Sequence, residues 1–206
     1  MITIIDYNAG NLRSVKRACD AVGIESRLSS DPDLIAKAEK LIFPGVGAAQ
    51  SAMHTLNHSG IGEALRTAHG RGIPILGICL GTQIILDGSD EGDTPTLGLI
   101  PGRTRRFQLQ DATLKIPHMG WNQVNVLQPH PLLAGIDPGD EFYFVHSYFP
   151  APASATHVYA TTDYGGAFPC ALGRENLFAT QFHPEKSGRF GLALLARFAK
   201  WDGAAC

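Results

Sequence analysis

The chain has 206 residues, 44% of them hydrophobic and 17% charged, with a formal net charge of −2; this suits one globular domain over residues 1–206 with a substantial core. No basic cluster exceeds the short Arg103 to Arg106 run, expected to be a solvated strand face, so the charge balance offers nothing to nucleic acid or an anionic membrane. No apolar stretch reaches the about 18 to 20 residues of a membrane span, and Met1-Ile2-Thr3-Ile4-Ile5 meets Asp6 before a secretory core can form, so a cytoplasmic location is expected.

Four cysteines, Cys19, Cys79, Cys170 and Cys206, are spread without a Cys-x-x-Cys pair. That spacing argues for reduced thiols rather than a disulfide framework or a zinc knuckle.

Ile2 to Ile5 predicts a strand. Asn11 then caps a helix whose Leu12, Val15, Ala18, Cys19 and Val22 follow the helical period until Gly23 stops it. Ile24 to Leu28 predicts a second strand, and Asp31 with Pro32 behind it opens a short helix to about Ala38. Leu41-Ile42-Phe43 predicts a third strand ending in the glycine loop Pro44-Gly45-Val46-Gly47-Ala48. A helix through Met53, Leu56, Ile61 and Leu65, interrupted near Ser59-Gly60, leads to a further strand at Ile73 to Ile78. Strands alternating with helices call for a parallel sheet covered on both faces, with ligands gathered at the carboxyl ends of its strands. After Gly98 the texture changes. Arg103 to Leu109, Gln123 to Leu127, Glu141 to Val145 and His157 to Thr162 are short, β-rich and separated by Pro/Gly turns, which suits hairpins. Leu177 to Phe182 is again an apolar strand, and Ser187 is placed to cap a last helix carrying Phe190, Leu194, Leu195 and Phe198 on one face. The fold class is therefore α/β: one domain with a central, mostly parallel sheet flanked by helices and an additional antiparallel β-rich half.

Gly77-Ile78-Cys79-Leu80-Gly81 places a cysteine between two glycines just after a buried strand. This is the pattern of a nucleophile elbow, in which a sharp turn holds the nucleophile over unpaired N–H groups at a helix start. A small apolar cysteine at a glycine-rich strand end gives the same five letters. His183 and Glu185 follow another predicted core strand. A cysteine nucleophile needs a base that takes and returns a proton, and the imidazole needs a carboxylate to fix its tautomer; Cys79, His183 and Glu185 can fill those roles. Taken singly, a strand-end histidine satisfied by backbone and a solvated turn carboxylate are equally good readings.

Together the segments Pro44-Gly45-Val46-Gly47, Leu76 to Gln83 and Gln181-Phe182-His183-Pro184-Glu185 resemble the three signatures of the class I (triad) glutamine amidotransferase family, whose domain is flavodoxin-like. Ile5 to Leu12, Pro117-His118-Met119-Gly120-Trp121-Asn122, Tyr143 to Tyr148 and Glu185 to Gly188 narrow the resemblance to its branch of imidazole glycerol phosphate synthase glutaminases; it runs from Ile4 to Gly188. The resemblance implies that Cys79 attacks the carboxamide of L-glutamine, that His183 shuttles the proton and that Glu185 orients it. It implies an oxyanion hole from Val46, Gly47 and Leu80. Gly45, Gln83, Glu91 and the His146-Ser147-Tyr148 segment would bind the substrate, Glu91 suiting its α-ammonium. It also implies a heterodimer with a (β/α)₈-barrel cyclase. That partner's interior would carry ammonia to a ribulosyl nucleotide, making imidazole glycerol phosphate and aminoimidazole carboxamide ribotide. Asn11 and Trp121 would face this partner, although ordinary core packing is an equal reading of Trp121. No cofactor or metal is implied.

Two positions depart from the pattern. Asn8 stands where glycine is expected and Thr82 where methionine is common; asparagine tolerates left-handed backbone, and neither change removes a catalytic group. Other readings stay open: a glutaminase of another synthase, such as that making pyridoxal phosphate, a Cys-His peptidase, or a catalytically silent subunit of this fold. Pro117 to Asn122 and Tyr143 to Tyr148 disfavour the first two, and the intact triad disfavours the third. His54 and His58 share an i,i+4 spacing but lack a third ligand and read as a surface pair. The glycine loop lacks the lysine or third glycine of a nucleotide fingerprint.

Overall fold

Ile2-Thr3-Ile4-Ile5 is a run of branched side chains, stable where both faces of a strand are covered. In the computed structural model, which describes residues 1–204, it forms β1 (Ile2–Ile5), buried throughout. The first half then alternates as its pattern predicts. Asn11 Oδ1 accepts from the Ser14 N–H at 3.3 Å and caps α1 (Leu12–Ala21). β2 (Ser26–Ser29) begins two residues later than the expected Ile24 to Leu28, because the Ile24 N–H still closes the turn after α1 on the Cys19 carbonyl at 2.9 Å. Asp31 accepts from the N–H groups of Asp33 and Leu34 to cap α2 (Pro32–Ala36). β3 (Lys40–Gly45) runs past its apolar core through Pro44. α3 (Ala49–Ser59) and α4 (Ile61–Gly70) are separate helices divided at Gly60, whose φ of 77° is the left-handed conformation that glycine adopts without penalty. β4 (Ile75–Cys79) leads directly into the short α5 (Leu80–Ile84).

The second half holds more strands than the periodicity indicates. β5 (Gly88–Ser89), β6 (Thr94–Pro95) and β7 (Gly102–Arg106) are followed by β8 (His118–Gln123) and β9 (Asn125–Val126). The expected strand Gln123 to Leu127 is thus divided between two sheets, turning at Val124, whose side chain is buried. β10 (Glu141–His146), β11 (Tyr148–Pro152), β12 (Val158–Asp163), β13 (Ala167–Arg174), β14 (Leu177–Thr180) and α6 (Gly188–Lys200) complete the order. β13 is hidden in the sequence by Pro169 and Gly173. Pro169 is tolerated because it precedes the part of β13 that pairs with β14, so it does not interrupt that ladder.

The main sheet has the order β2-β1-β3-β4-β14-β13-β12-β9, parallel from β2 to β14 and antiparallel beyond. α1 and α6 cover one face, where Ile2, Ile4, Val15, Leu194 and Phe198 pack together, and α2 to α5 cover the other, with Ile5, Leu41, Phe43, Leu56 and Leu65. Burying each such side chain contributes about 1.5–3 kcal/mol. β8 and β10 form a separate two-stranded ladder, and β11, β7, β5 and β6 a four-stranded sheet. These smaller sheets stand near the carboxyl ends of the parallel strands and wall the site. The Arg103 to Arg106 run lies on β7; Arg103 pairs with Asp90 at 2.7 Å and with Asp93, and Arg105 with Asp90 at 3.3 Å. Among the described residues no helix is long and apolar enough to cross a membrane. Cys19, Cys79 and Cys170 are free and buried; Cys206 lies outside the described residues.

Candidate active site

Cys79 ends β4 with φ 56° and ψ −107°, a left-handed conformation that costs a non-glycine residue about 1–3 kcal/mol. The flanking glycines serve a different purpose from the sharp turn expected of them: neither has a left-handed φ. A Cβ on Gly77 would stand 2.9 Å from the Ala179 side chain, and one on Gly81 would stand 2.0 Å from the Phe43 carbonyl oxygen. They let β14 and β3 close on the elbow from both sides and hold the strained cysteine. Thr82 Oγ1 donates to the Thr180 carbonyl at 2.6 Å, tying α5 to β14, so this departure from the family pattern acts as a tether. Asn8 takes the expected left-handed conformation, φ 61°.

His183 follows β14, buried beside Glu185, with Nδ1 to Glu185 Oε1 at 2.7 Å. Burial pulls this imidazole down, but the charge of Cys79 beside it and the Glu185 carboxylate outweigh burial and raise it to about 10. The ring's Nε2 has no nitrogen or oxygen partner among the described residues. The backbone of His183 is pinned from two directions: its N–H donates to the Tyr143 carbonyl at 2.9 Å, and its carbonyl accepts from Ser187 Oγ at 2.6 Å. Ser187 therefore does not cap α6 with its side chain, as the sequence suggests; its hydroxyl is spent on His183 and on the Tyr143 N–H at 3.0 Å. Burial pushes the other described thiols, Cys19 and Cys170, up to about 11 and about 12, and keeps them uncharged.

A cavity of about 310 Å³ opens at Cys79, lined by Val46, Gly47, Leu80, Gln83, Glu91, His146, Ser147 and Tyr148, and also by Pro117 and Val145. Val46 is half-exposed and Gly47 has φ 99°. Gln83 Nε2 donates to the Tyr148 carbonyl at 2.8 Å and to Gln181 Oε1 at 3.0 Å, and Gln181 Nε2 donates to Cys79 Sγ at 3.7 Å. Glu91 Oε2 accepts from the Ala49 N–H at 2.7 Å, at the start of α3. Gly45 is not on the cavity wall. It pairs in register with Cys79, and a Cβ there would lie 2.2 Å from Tyr7 Oη, so it is a packing position between two strands. The roles of Gln181, Tyr143 and Ser187 in the site were not legible in their motif segments, because they depend on partners far away in the chain: the Gln83 and Cys79 side chains for Gln181, and for the other two the pairings between Tyr143 and the His183 to Ser187 segment.

Tyr7 Oη is buried without a partner among the described residues, and burial, then the Cys79 charge, raises its pKa. An unsatisfied buried hydroxyl costs about 1–3 kcal/mol, so Tyr7→Phe is expected to stabilise the protein by about 1 kcal/mol; an unchanged or lower thermal midpoint would contradict this. The His183 shift carries a pH signature. A group raised from 6.5 to about 10 on folding stabilises the fold fully below pH 6.5 and loses that contribution as pH rises through about 10. The denaturation midpoint is expected to fall between pH 6.5 and 10, and to fall less in Cys79→Ala; parallel curves would contradict the pairing.

Trp121 is 54% exposed on the outer face of β8, edge-on to Tyr143 at 6.1 Å, which removes core packing as its role. Lys186 Nζ sits 5.5 Å over the same Tyr143 ring, and Asn11 is exposed at the start of α1. His54 and His58 are exposed and stacked at 4.0 Å, with His58 Nδ1 donating to the His54 carbonyl at 2.8 Å. No group of three or more His, Cys, Asp or Glu is placed to hold a metal among the described residues.

Residues 3–200 match the family model described as glutamine amidotransferase class-I. A protein of Chromobacterium violaceum named imidazole glycerol phosphate synthase subunit HisH is 47% identical, the match covering 98% of each chain. One of the same name from Nitratidesulfovibrio vulgaris is 50% identical, covering 98% of this chain and 96% of that one. Among solved structures, PurLQS from Thermotoga maritima superposes with a TM-score of 0.73 at 18% identity over 97% of each chain, a similarity of fold alone. A structure described as a glutamine amidotransferase gives 0.72 at 19% identity, covering 98% of this chain and all of that one.

Proposed function

Because the chain belongs to the class-I glutamine amidotransferase family, we propose that it is the glutaminase subunit of an imidazole glycerol phosphate synthase. It hydrolyses L-glutamine and supplies the ammonia for histidine biosynthesis. Near-full-length identity to relatives carrying that subunit name supports the reading. The single observation that carries its chemistry is the buried His183–Glu185 pair at 2.7 Å, with the second ring nitrogen left for Cys79.

Cys79 sulfur attacks the carboxamide carbon, and the carbonyl oxygen becomes an oxyanion held by the Leu80 N–H and by one from the Val46-Gly47 segment. His183, charged beside Cys79, gives its proton to the leaving amine, and ammonia departs from a γ-glutamyl thioester. His183 then takes a proton from water, which attacks the thioester; glutamate leaves and the cysteine is restored. Glu185 keeps Nδ1 protonated throughout and stabilises the imidazolium. The carboxylate of Glu91 suits the α-ammonium of the substrate, and Gln83 and the Ser147-Tyr148 backbone suit its other polar groups. The left-handed Gly47 frees the loop to reverse a peptide, so that an inactive and an active oxyanion hole are both within reach.

Ammonia released into water is protonated and lost, so its value depends on a receiver. That receiver is a cyclase subunit with a (β/α)₈ barrel, bound as a heterodimer through the face bearing the exposed Trp121. The subunit works in the cytoplasm with no cofactor. Incubation with a glutamine-mimicking electrophile tests the nucleophile. Mass spectrometry is expected to find the adduct on Cys79, in a manner blocked by glutamine, and labelling of Cys19 or Cys170 instead would contradict the reading.

A further inference from the structure

His118 opens β8 within the Pro117 to Asn122 stretch, and the chemistry above leaves it unused. Strand alternation puts Met119 and Trp121 of β8 outward, 62% and 54% exposed, and turns His118 inward, buried opposite His146 of β10. With His146 on the cavity wall and His118 behind it, the two rings form one hydrogen-bonded array whose polarity can be read from its end. His146 Nδ1 lies 2.8 Å from the Tyr148 carbonyl, which can only accept, so Nδ1 carries the hydrogen and Nε2 is a bare acceptor. His118 Nδ1, 3.0 Å from that Nε2, must then donate, leaving its own Nε2 to accept from Asn122 Nδ2 at 3.2 Å. The other amide hydrogen of Asn122 goes to the Asp163 carbonyl at 2.8 Å, and its Oδ1 takes the Gln123 N–H at 2.8 Å. Only one tautomer of each ring satisfies every contact. Burial pulls His118 down to about 4 and His146 to about 3, so both stay neutral and those tautomers persist at neutral pH.

The Tyr148 carbonyl is also where Gln83 Nε2 donates, and Gln83 continues through Gln181 to the Cys79 sulfur. Hydrogens converge on this carbonyl from both sides, so the array cannot pass a proton. It can only fix positions. We propose that His118 and His146 are positioning residues of the glutamine cavity, holding the Tyr148 carbonyl and, through it, the Gln83 head group in place opposite Cys79. This rests on the glutaminase reading.

Two substitutions at His118 separate positioning from packing. His118→Phe keeps the stack on Tyr164 at 4.1 Å and on Phe144 at 4.9 Å but offers no hydrogen to His146. His118→Asn keeps an N–H near the place of Nδ1 but loses the stack. In the complex with the cyclase, His118→Phe is expected to raise the KM for glutamine about tenfold, a loss of about 1.4 kcal/mol, with kcat and ammonia-dependent synthesis near wild type. His118→Asn is expected to keep a near-normal KM despite a lower thermal midpoint. A packing role would order the two variants oppositely, so a normal KM in His118→Phe, or the worse KM in His118→Asn, overturns the proposal. Should neither variant fold, ¹⁵N spectra of the histidines in the wild-type complex still decide: both rings must be Nδ1–H tautomers, and an Nε2–H form of either overturns it. Wild-type protein inactive on glutamine with its cyclase would instead remove the glutaminase reading itself.

Discussion

Cys79→Ala is expected to lower glutamine-dependent synthesis by about four orders of magnitude or more while synthesis from added ammonium salt, by the same complex, continues at the wild-type rate. The substitution removes the only atom that forms the thioester and leaves the elbow in place. Alanine keeps the Cβ, so the strain of φ 56° is unchanged, and the close approaches at Gly77 and Gly81 are untouched. Two contacts are lost, the weak Gln181 N–H to sulfur at 3.7 Å and the pairing of the Cys79 charge with His183, whose ring stays held by Glu185 at 2.7 Å. Folding and association with the cyclase should therefore persist. Loss of the ammonia-dependent reaction as well would make Cys79 a structural residue.

Gly81→Ala should be far more damaging than Gly77→Ala, the other single methyl flanking Cys79. Its Cβ would stand 2.0 Å from the Phe43 oxygen and 3.2 Å from the Phe43 carbonyl carbon, both backbone atoms that no rotamer change can move away. Either α5 or β3 must shift, and β3 leads directly into the Val46-Gly47 segment facing Cys79. A loss of about 3 kcal/mol in stability is expected, with glutamine hydrolysis falling further than stability alone explains, because the oxyanion donors and the nucleophile move apart. Gly77→Ala is the control. Its Cβ would meet a side-chain methyl at 2.9 Å, which can yield by a small strand shift, so its effect should be smaller. Urea denaturation of both variants, with kinetics of the complexes, checks the ranking; equal or inverted effects would contradict it.

The parallel half was legible because β1, β3 and β4 are built on short apolar runs and the helices carry their own boundary signals: Asp31-Pro32 opens α2, and Gly23 and Gly60 sit where the chain turns. The glycine-flanked cysteine and the His-Pro-Glu segment were legible as chemistry because few other roles demand those residues together. The antiparallel half was less so. β13 contains a proline and a glycine, and β8 begins at His118, where alternation of outward Met119 and Trp121 with an inward histidine resembles no apolar pattern. Trp121 was ambiguous for the same reason: indole suits a core or an exposed contact face equally, and only the strand's orientation decides. Ser187 illustrates a different limit. Local chemistry suits it to a helix cap, and a partner 44 residues away, the Tyr143 N–H, takes its hydroxyl instead. Gly45 looked like part of the binding loop, while its true constraint, the Tyr7 ring, lies on another strand's extension.

The coupling of the elbow to a receiving partner is the central claim, and parallel assays of glutamate and imidazole glycerol phosphate test it most directly. With glutamine, the cyclase and its ribulosyl nucleotide, one glutamate is expected per imidazole glycerol phosphate, and glutamate formation should drop to near background when the cyclase is left out. Glutamate released equally fast by the isolated subunit, or none released by the complex, would contradict it.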